Sequence, residues 1–318
     1  MGTIPAEADW HRAPTLLDGA MGLDLTPEVC DLKYWFAAVP QGTLRGNVLG
    51  HADDTVTPDH MREPGPLREA LLQELAFRSI AEEKATRAIS YLVAHAPDNA
   101  CMEFYATQLV DEARHAMAFR SHLLELGVRE DALWSTIEGV AGADRDAVLV
   151  PLEDLGLEVL RENADFIGGV LVLTVLVEGV LAPAAELSER KWRPLDPAAA
   201  DIERAAGIDE IRHLTVGSAI VRAHLRNRPA DKDRLLELIA RGLRLWDKLP
   251  AGDLVHRREV LFQEGMRRLT DVVGDYEIWP GRRLVDTTAE ERLATAQEWA
   301  ARMQRIRLDY MGLEEAIR

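Results

Sequence analysis

The chain writes the same five-residue phrase twice, about a hundred residues apart. Asp111-Glu112-Ala113-Arg114-His115 and Asp209-Glu210-Ile211-Arg212-His213 both have the form Asp-Glu-x-Arg-His. Each holds a Glu-x-x-His, and on a helix positions i and i+3 share a face with Cβ atoms ~5–6 Å apart. Glu112 and His115 are therefore placed to hold one metal ion, and Glu210 and His213 a second. A single Glu-x-x-His carries little weight, because both residues are common on helices. Two copies with the same flanking Asp and Arg, each inside an apolar helical pattern, restrict the fold to one that brings two such helices together.

The flanking sequence supplies the remaining helices. Leu71, Leu75, Ala85, Ile89 and Leu92 recur with a period near 3.6 and predict a helix over 66–95. Glu82 falls on that apolar stripe, seven residues from both Leu75 and Ile89, whereas Glu83 falls on a more polar one. A carboxylate on a core face needs a partner, so Glu82 is preferred to Glu83 as a ligand. After the turn at Ala96-Pro97-Asp98-Asn99, a second helix over about 100–127 carries the first motif. Its stripe of Tyr105, Leu109, Glu112, Ala116, Phe119 and Leu123 ends at the stop residue Gly127. Residues 128–150 read as a mixed connector with one short helix. A third long helix over 152–192, with a break expected near Gly168-Gly169 or Pro183, is apolar all round in its middle. Glu178 interrupts that run and is costly there unless neutral, paired or bound to metal. The fourth helix, about 198–227, carries the second motif.

Glu82 and Glu112 are thirty residues apart and Glu178 and Glu210 thirty-two. Each interval holds one helix, a turn and a return to the same depth. One Glu from each of two helices and a Glu-x-x-His from each of two others is the ligand set of a ferritin-like bundle. Four carboxylates and two imidazoles suit iron or manganese better than zinc or copper. Metal-bound His usually donates its second N–H to a carboxylate or carbonyl. Asp111 is thus expected to orient His213, and Asp209 to orient His115, with Arg114 and Arg212 pairing the aspartates.

The reading is an all-α chain forming one domain over 1–318: an N-terminal arm over 1–65, a four-helix core over 66–227 and accessory helices over 228–318. The arm is irregular with short helical pieces and an aromatic cluster at Tyr34-Trp35-Phe36, expected to pack outside the core. Further amphipathic helices are expected at 231–248, 252–273 and 288–317, and no strand is expected. His95, His122 and His256 have no partner at ligand spacing and read as surface or helix-end residues.

A formal charge of −17 leaves no basic stripe for phosphates and excludes a nucleic-acid partner. The most apolar run, 166–177, is too short for a bilayer, which takes ~20 residues, and Met1 to Asp24 lacks a signal-peptide pattern. Cys30 and Cys101 with no CxxC fit a reducing cytoplasm. A homodimer is expected, since long bundles often pair.

Over about 66–227, the ligand pattern and the Asp-Glu-Ala-Arg-His and Asp-Glu-Ile-Arg-His motifs resemble the ferritin-like carboxylate-bridged di-iron oxygenases and oxidases. The resemblance implies two iron ions, O2 as co-substrate and a small-molecule substrate. With no flavin or nicotinamide fingerprint in the chain, it also implies an external ferredoxin or reductase. Phe119 stands where radical-generating reductase subunits have tyrosine. Ala182 stands where methane- and phenol-type hydroxylases have threonine, and Ala206 where AurF-type arylamine oxygenases have an extra His. In length and Arg-flanked motifs the chain is most similar to the VlmB-type enzymes of bacterial secondary metabolism, associated with azoxy formation. That implies N-oxygenation. The alternatives are a C–H hydroxylase, desaturase or aldehyde-deformylating oxygenase on a lipid-like chain, and a non-enzymatic iron-binding protein. Ala85, Phe119, Thr174 and Leu181, one turn from the ligands, are candidate pocket wall.

Overall fold

Aspartates start three of the helices that matter. Asp98, Asp165 and Asp196 each stand in a non-helical conformation and accept a backbone N–H three residues on, from Cys101 (2.9 Å), Gly168 (3.0 Å) and Ala199 (3.1 Å). Each satisfies a donor that the first turn would otherwise leave orphaned. Proline at the first turn, with φ already set for a helix, starts Pro66–His95 and Pro197–Asn227.

The computed structural model describes residues 15–43 and 49–317. In chain order the arm gives α1 (Leu16–Gly22), α2 (Leu32–Thr43) and α3 (Asp59–Arg62), followed by α4 (Pro66–His95) and α5 (Asn99–Glu125). Then come α6 (Leu133–Asp144), α7 (Val150–Leu157), α8 (Phe166–Leu171), α9 (Gly179–Trp192) and α10 (Pro197–Asn227). The chain ends in α11 (Lys232–Trp246), α12 (Ala251–Met266), α13 (Thr270–Val273), β1 (Glu277–Trp279), β2 (Arg282–Arg283) and α14 (Ala289–Met311). The described residues are all-α apart from one two-stranded antiparallel sheet.

The helices α4 and α5, joined by a tight turn, pack along their length, as do α9 and α10. Almost every residue of α10 from Ala198 to Val221 is buried. Against it lie α5, α8, α9, α14 and two of the three arm helices, α1 and α2. The accessory helices close the flanks, α12 on α4 and α14 on α9. At Gly127 the chain takes a left-handed turn with φ +87°. Val128 N–H then reaches back to Leu123 O at 3.1 Å, which ends α5.

Three expectations from the sequence need correction. Residues 128–150 are not a connector with one short helix: helical turns run on from Leu133 to Glu162, with wide π-type turns at Arg145–Leu149 and Glu158–Glu162. The break expected at Gly168-Gly169 or Pro183 falls at 163–165 instead. There Ala164 has φ +50° and Asp165 caps the next helix. Pro183 is accommodated inside α9, after a π-type segment Val172–Glu178 that links α8 to α9. The carbonyls of Val175 and Leu176 in that segment accept from Gln304 (3.0 Å) and the Trp246 indole (2.6 Å). Irregular turns inside a helix need such outside partners. Finally, β1 and β2 were not expected, because strands of two and three residues leave no period to read.

By length and composition, Phe166–Trp192 is long and apolar enough to cross a membrane, further than the run 166–177 suggests, yet 78% of its most apolar window is buried inside the protein. That is the position of a core helix.

At Gly265 the backbones of α12 and α4 nearly touch. A Cβ there would sit 2.4 Å from Leu67 Cβ and 2.5 Å from Leu67 N, and backbone cannot rotate away. Gly265→Ala should therefore cost about 1–3 kcal/mol, seen in thermal denaturation as a melting temperature several degrees lower.

Candidate metal centre

Helices α4, α5 and α10 and the π-type segment before α9 bring the six candidate ligands to one depth. Donor atoms of Glu82, Glu112 and His115 lie within 4.8 Å of one another, and so do those of Glu112, Glu210 and His213. Glu112 belongs to both groups. His115 Nδ1 lies 3.1 Å from Glu112 Oε2, and His213 Nδ1 lies 3.2 Å from Glu112 Oε1 and 3.8 Å from Glu210 Oε1. Glu178 joins through Gln108, whose Nε2 donates to Glu178 Oε1 at 2.5 Å and to Glu112 Oε1 at 3.3 Å. Glu83 turns outward and pairs with Arg87 at 2.8 Å.

Behind the histidines the two motifs cross. His115 Nε2 donates to Asp209 Oδ2 at 3.0 Å, and His213 Nε2 faces Asp111 Oδ2 at 3.4 Å. Arg212 Nη2 donates to both aspartates, to Asp111 at 2.6 Å and Asp209 at 3.0 Å. Arg114 joins Asp111 at 2.8 Å and Asp209 at 3.4 Å. Burial alone would raise Asp209, but Arg212, His115 and Arg114 overcome it and hold its carboxyl well below the usual range. Asp209 is thus fixed as an acceptor. Each histidine is left with Nε2 engaged and Nδ1 aimed at the glutamates.

The glutamates behave differently. Burial, then Glu112, pushes Glu82 well above the carboxylate range, and burial, then Glu210, does the same to Glu178. Glu210 is raised by burial and by Glu112. Glu112 is also pushed up by burial, but His213 and His115 prevail and hold it low. Glu178 Oε2, Glu210 Oε2 and His213 Nδ1 are buried with no hydrogen-bond partner. Orphaned buried acceptors are rare and demand a reason. The two arginines pair with the two aspartates, and the four glutamates, once ionised, would carry the charge of two divalent cations. The donor set and its orphans fit metal ions.

Two contributors escaped the sequence reading. Gln108 sits one turn before Glu112, a spacing that could have shown it. From the arm, the Trp35 indole donates to Asp111 Oδ1 at 2.9 Å, and Arg114 lies 5.7 Å from its ring centroid. The aromatic cluster of α2 was thus more than outside packing.

A third group, His51, His122 and Glu125, also has donor atoms within 4.8 Å of one another. His122 was expected at the surface and is instead fully buried, because its partner Asp196 arrives from the distant start of α10. His122 Nε2 bonds Asp196 Oδ2 at 2.9 Å and its Nδ1 bonds Glu125 Oε2 at 3.1 Å. His51 bonds Glu125 Oε1 at 2.9 Å and the Ala52 carbonyl at 3.0 Å. Here every ring nitrogen has a protein partner, the behaviour of an ion-pair network. His95 closes α4, and exposed His256 meets Glu290 at 3.2 Å.

A cavity of about 210 Å³ opens on Glu82, Glu112, Glu178 and Glu210. Its wall is mostly apolar and includes Ala85, Leu181 and Ala206. Phe119 and Thr174 are not on it. Phe119 is sealed in the core under Arg78, and Thr174 abuts Gly217 of α10.

No family model matches the chain, and no curated protein matches it.

Two outcomes follow from these contacts. Asp209→Asn should weaken metal binding about 10–100-fold, measured by competition with a chelator. His122 is driven down by burial, but Asp196 and Glu125 raise it to about 9. Its folded value then exceeds its unfolded one, so its stabilisation is complete below about pH 6.5 and lost as pH rises through about 9. At roughly 3 kcal/mol, that makes the stability gap between wild type and His122→Gln close across this window in denaturant titrations.

Proposed function

We propose that the protein is a non-haem di-iron oxygenase that uses O2 to oxidise a small molecule. The observation that carries this reading is the pair of donor groups sharing Glu112, beside a cavity lined by Glu82, Glu112, Glu178 and Glu210. Glu82, Glu112 and His115 would hold one iron, and Glu112, Glu210 and His213 the other, with Glu178 completing the set. Bound iron would supply the redox chemistry by which O2 is activated. The chain's part is to fix geometry and keep water out. Asp111 and Asp209 hold the histidines in the tautomer that leaves Nδ1 free. The apolar wall keeps the reacting end of a substrate dry. Electrons would come from a ferredoxin or reductase.

The likeness to VlmB-type enzymes extends the reading to N-oxygenation, from hydroxylamine toward azoxy- or nitroso-level products. The apolar cavity wall favours a second reading, C–H oxidation of a lipid-like chain. The cavity itself weighs against a purely iron-binding protein, for which a sealed site suffices.

Ferrous-loaded protein exposed to O2 should take up oxygen and develop a transient visible absorption band in stopped flow. Glu112→Ala, which removes the carboxylate common to both groups, should lose both signals. Oxygen uptake unchanged in that variant would overturn the reading, and product analysis on amines, hydroxylamines and fatty aldehydes separates N- from C-oxidation.

A further inference from the structure

The cavity has a second polar feature, on the α12 side. Four cationic side chains line it: Arg78, Lys84, Lys191 and Arg258. Three are answered by carboxylates. Arg78 Nε meets Glu203 at 3.0 Å, Lys84 meets Glu153, and Lys191 Nζ meets both Glu74 (2.8 Å) and Glu259 (2.6 Å). Arg258 is the least closely paired of the four. It is only 7% exposed, and its Nε and Nη2 have no hydrogen-bond partner. Its carboxylate neighbour, Asp144, lies 3.5 Å from Nη2 and spends its other oxygen on Arg257 at 2.6 Å. The guanidinium otherwise lies 4.6 Å from the Phe77 ring centroid, itself on the cavity wall. Burial pulls it down to about 10, with Glu74 and Asp144 compensating only in part.

A buried guanidinium held only by a long ion pair and with an unbonded Nε is poorly satisfied, and Arg258 lines the cavity. Nε and Nη2 form one edge of the planar fork, the edge that takes a carboxylate through two parallel hydrogen bonds. We propose that Arg258 anchors the carboxylate of the substrate, a small amphipathic carboxylic acid whose other end lies at the four glutamates. Phe77 precedes Glu82 by five residues of α4, a rise of about 7–8 Å, which sets the scale of the span at about five or six C–C bonds. The intervening wall, with Ala81, Ala85 and Leu181, suits an apolar linker. This inference rests on the oxygenase reading for which end reacts, but not for binding itself.

The test uses metal-free protein, calorimetry and straight-chain carboxylic acids of six to eight carbons (~5–7 C–C bonds), beside the alcohols of equal length. The wild type should prefer the acid, and Arg258→Met should weaken acid binding about tenfold to a hundredfold while leaving the alcohol unchanged. Arg258→Lys, keeping the charge without the fork, should fall between. Without ligand, Arg258→Met should melt no lower than wild type, since it removes a buried guanidinium held only by a long ion pair, while Asp144 keeps Arg257. A lower melting temperature would make the arginine structural and overturn the proposal. Equal affinity of wild type for acid and alcohol, or acid binding unchanged in Arg258→Met, would overturn it too. Glu112→Ala should keep the acid preference, and Arg258→Met should keep iron binding. Failure of the metal centre and failure of the anchor are thereby read separately.

Discussion

Four carboxylates at one depth in a helical core are unfavourable by themselves. Each has been taken from water, and each raises the others, as the upward displacement of Glu82, Glu178 and Glu210 shows. Much of the surrounding architecture serves to hold them there. The aspartate caps fix where α5, α8 and α10 begin, and so the depth at which Glu112, Glu178 and Glu210 arrive. The crossed Asp111, Asp209, Arg114 and Arg212 network ties the two motif helices together and commits both histidines to face inward. Trp35 brings the N-terminal arm to this network from outside. Buried glutamates and histidines whose donor atoms lie this close together could hold a metal ion, which is why the physical account of the core leads to metal.

What the sequence made legible was what repeats or is periodic. Helices 66–95 and 198–227 were readable within a residue or two, because apolar period, proline and aspartate agreed. The Glu-x-x-His spacing and the stripe position of Glu82 predicted which side chains would meet, and the structure brings them together. What stayed hidden depends on contacts between distant segments. Buried His122 takes its identity from Asp196 of α10, and Trp35 from Asp111 of α5; no local pattern records either. The break at 163–165 rests on an alanine with positive φ and a capping aspartate, a weaker signal than the glycines and proline nearby. Phe119 and Thr174 had the right spacing for the cavity but face other helices.

The buried polar groups differ in how fully the protein pairs them. Around His122, and around Lys191 with Glu74 and Glu259, opposite charges meet at 2.6–3.1 Å, so these are closed networks that lock helices together. Around the glutamates and at Arg258 polar atoms are left without protein partners, and both places open on the same cavity. Natural cores keep such liabilities where a ligand answers them.

The most direct measurement is anomalous diffraction at the iron edge from crystals grown with ferrous iron. The account predicts two peaks, one among Glu82, Glu112 and His115 and the other among Glu112, Glu210 and His213, with Glu112 between them. No peak there, or full-occupancy iron only elsewhere, would mean that the paired motifs are buried ion pairs and would contradict the account at its root.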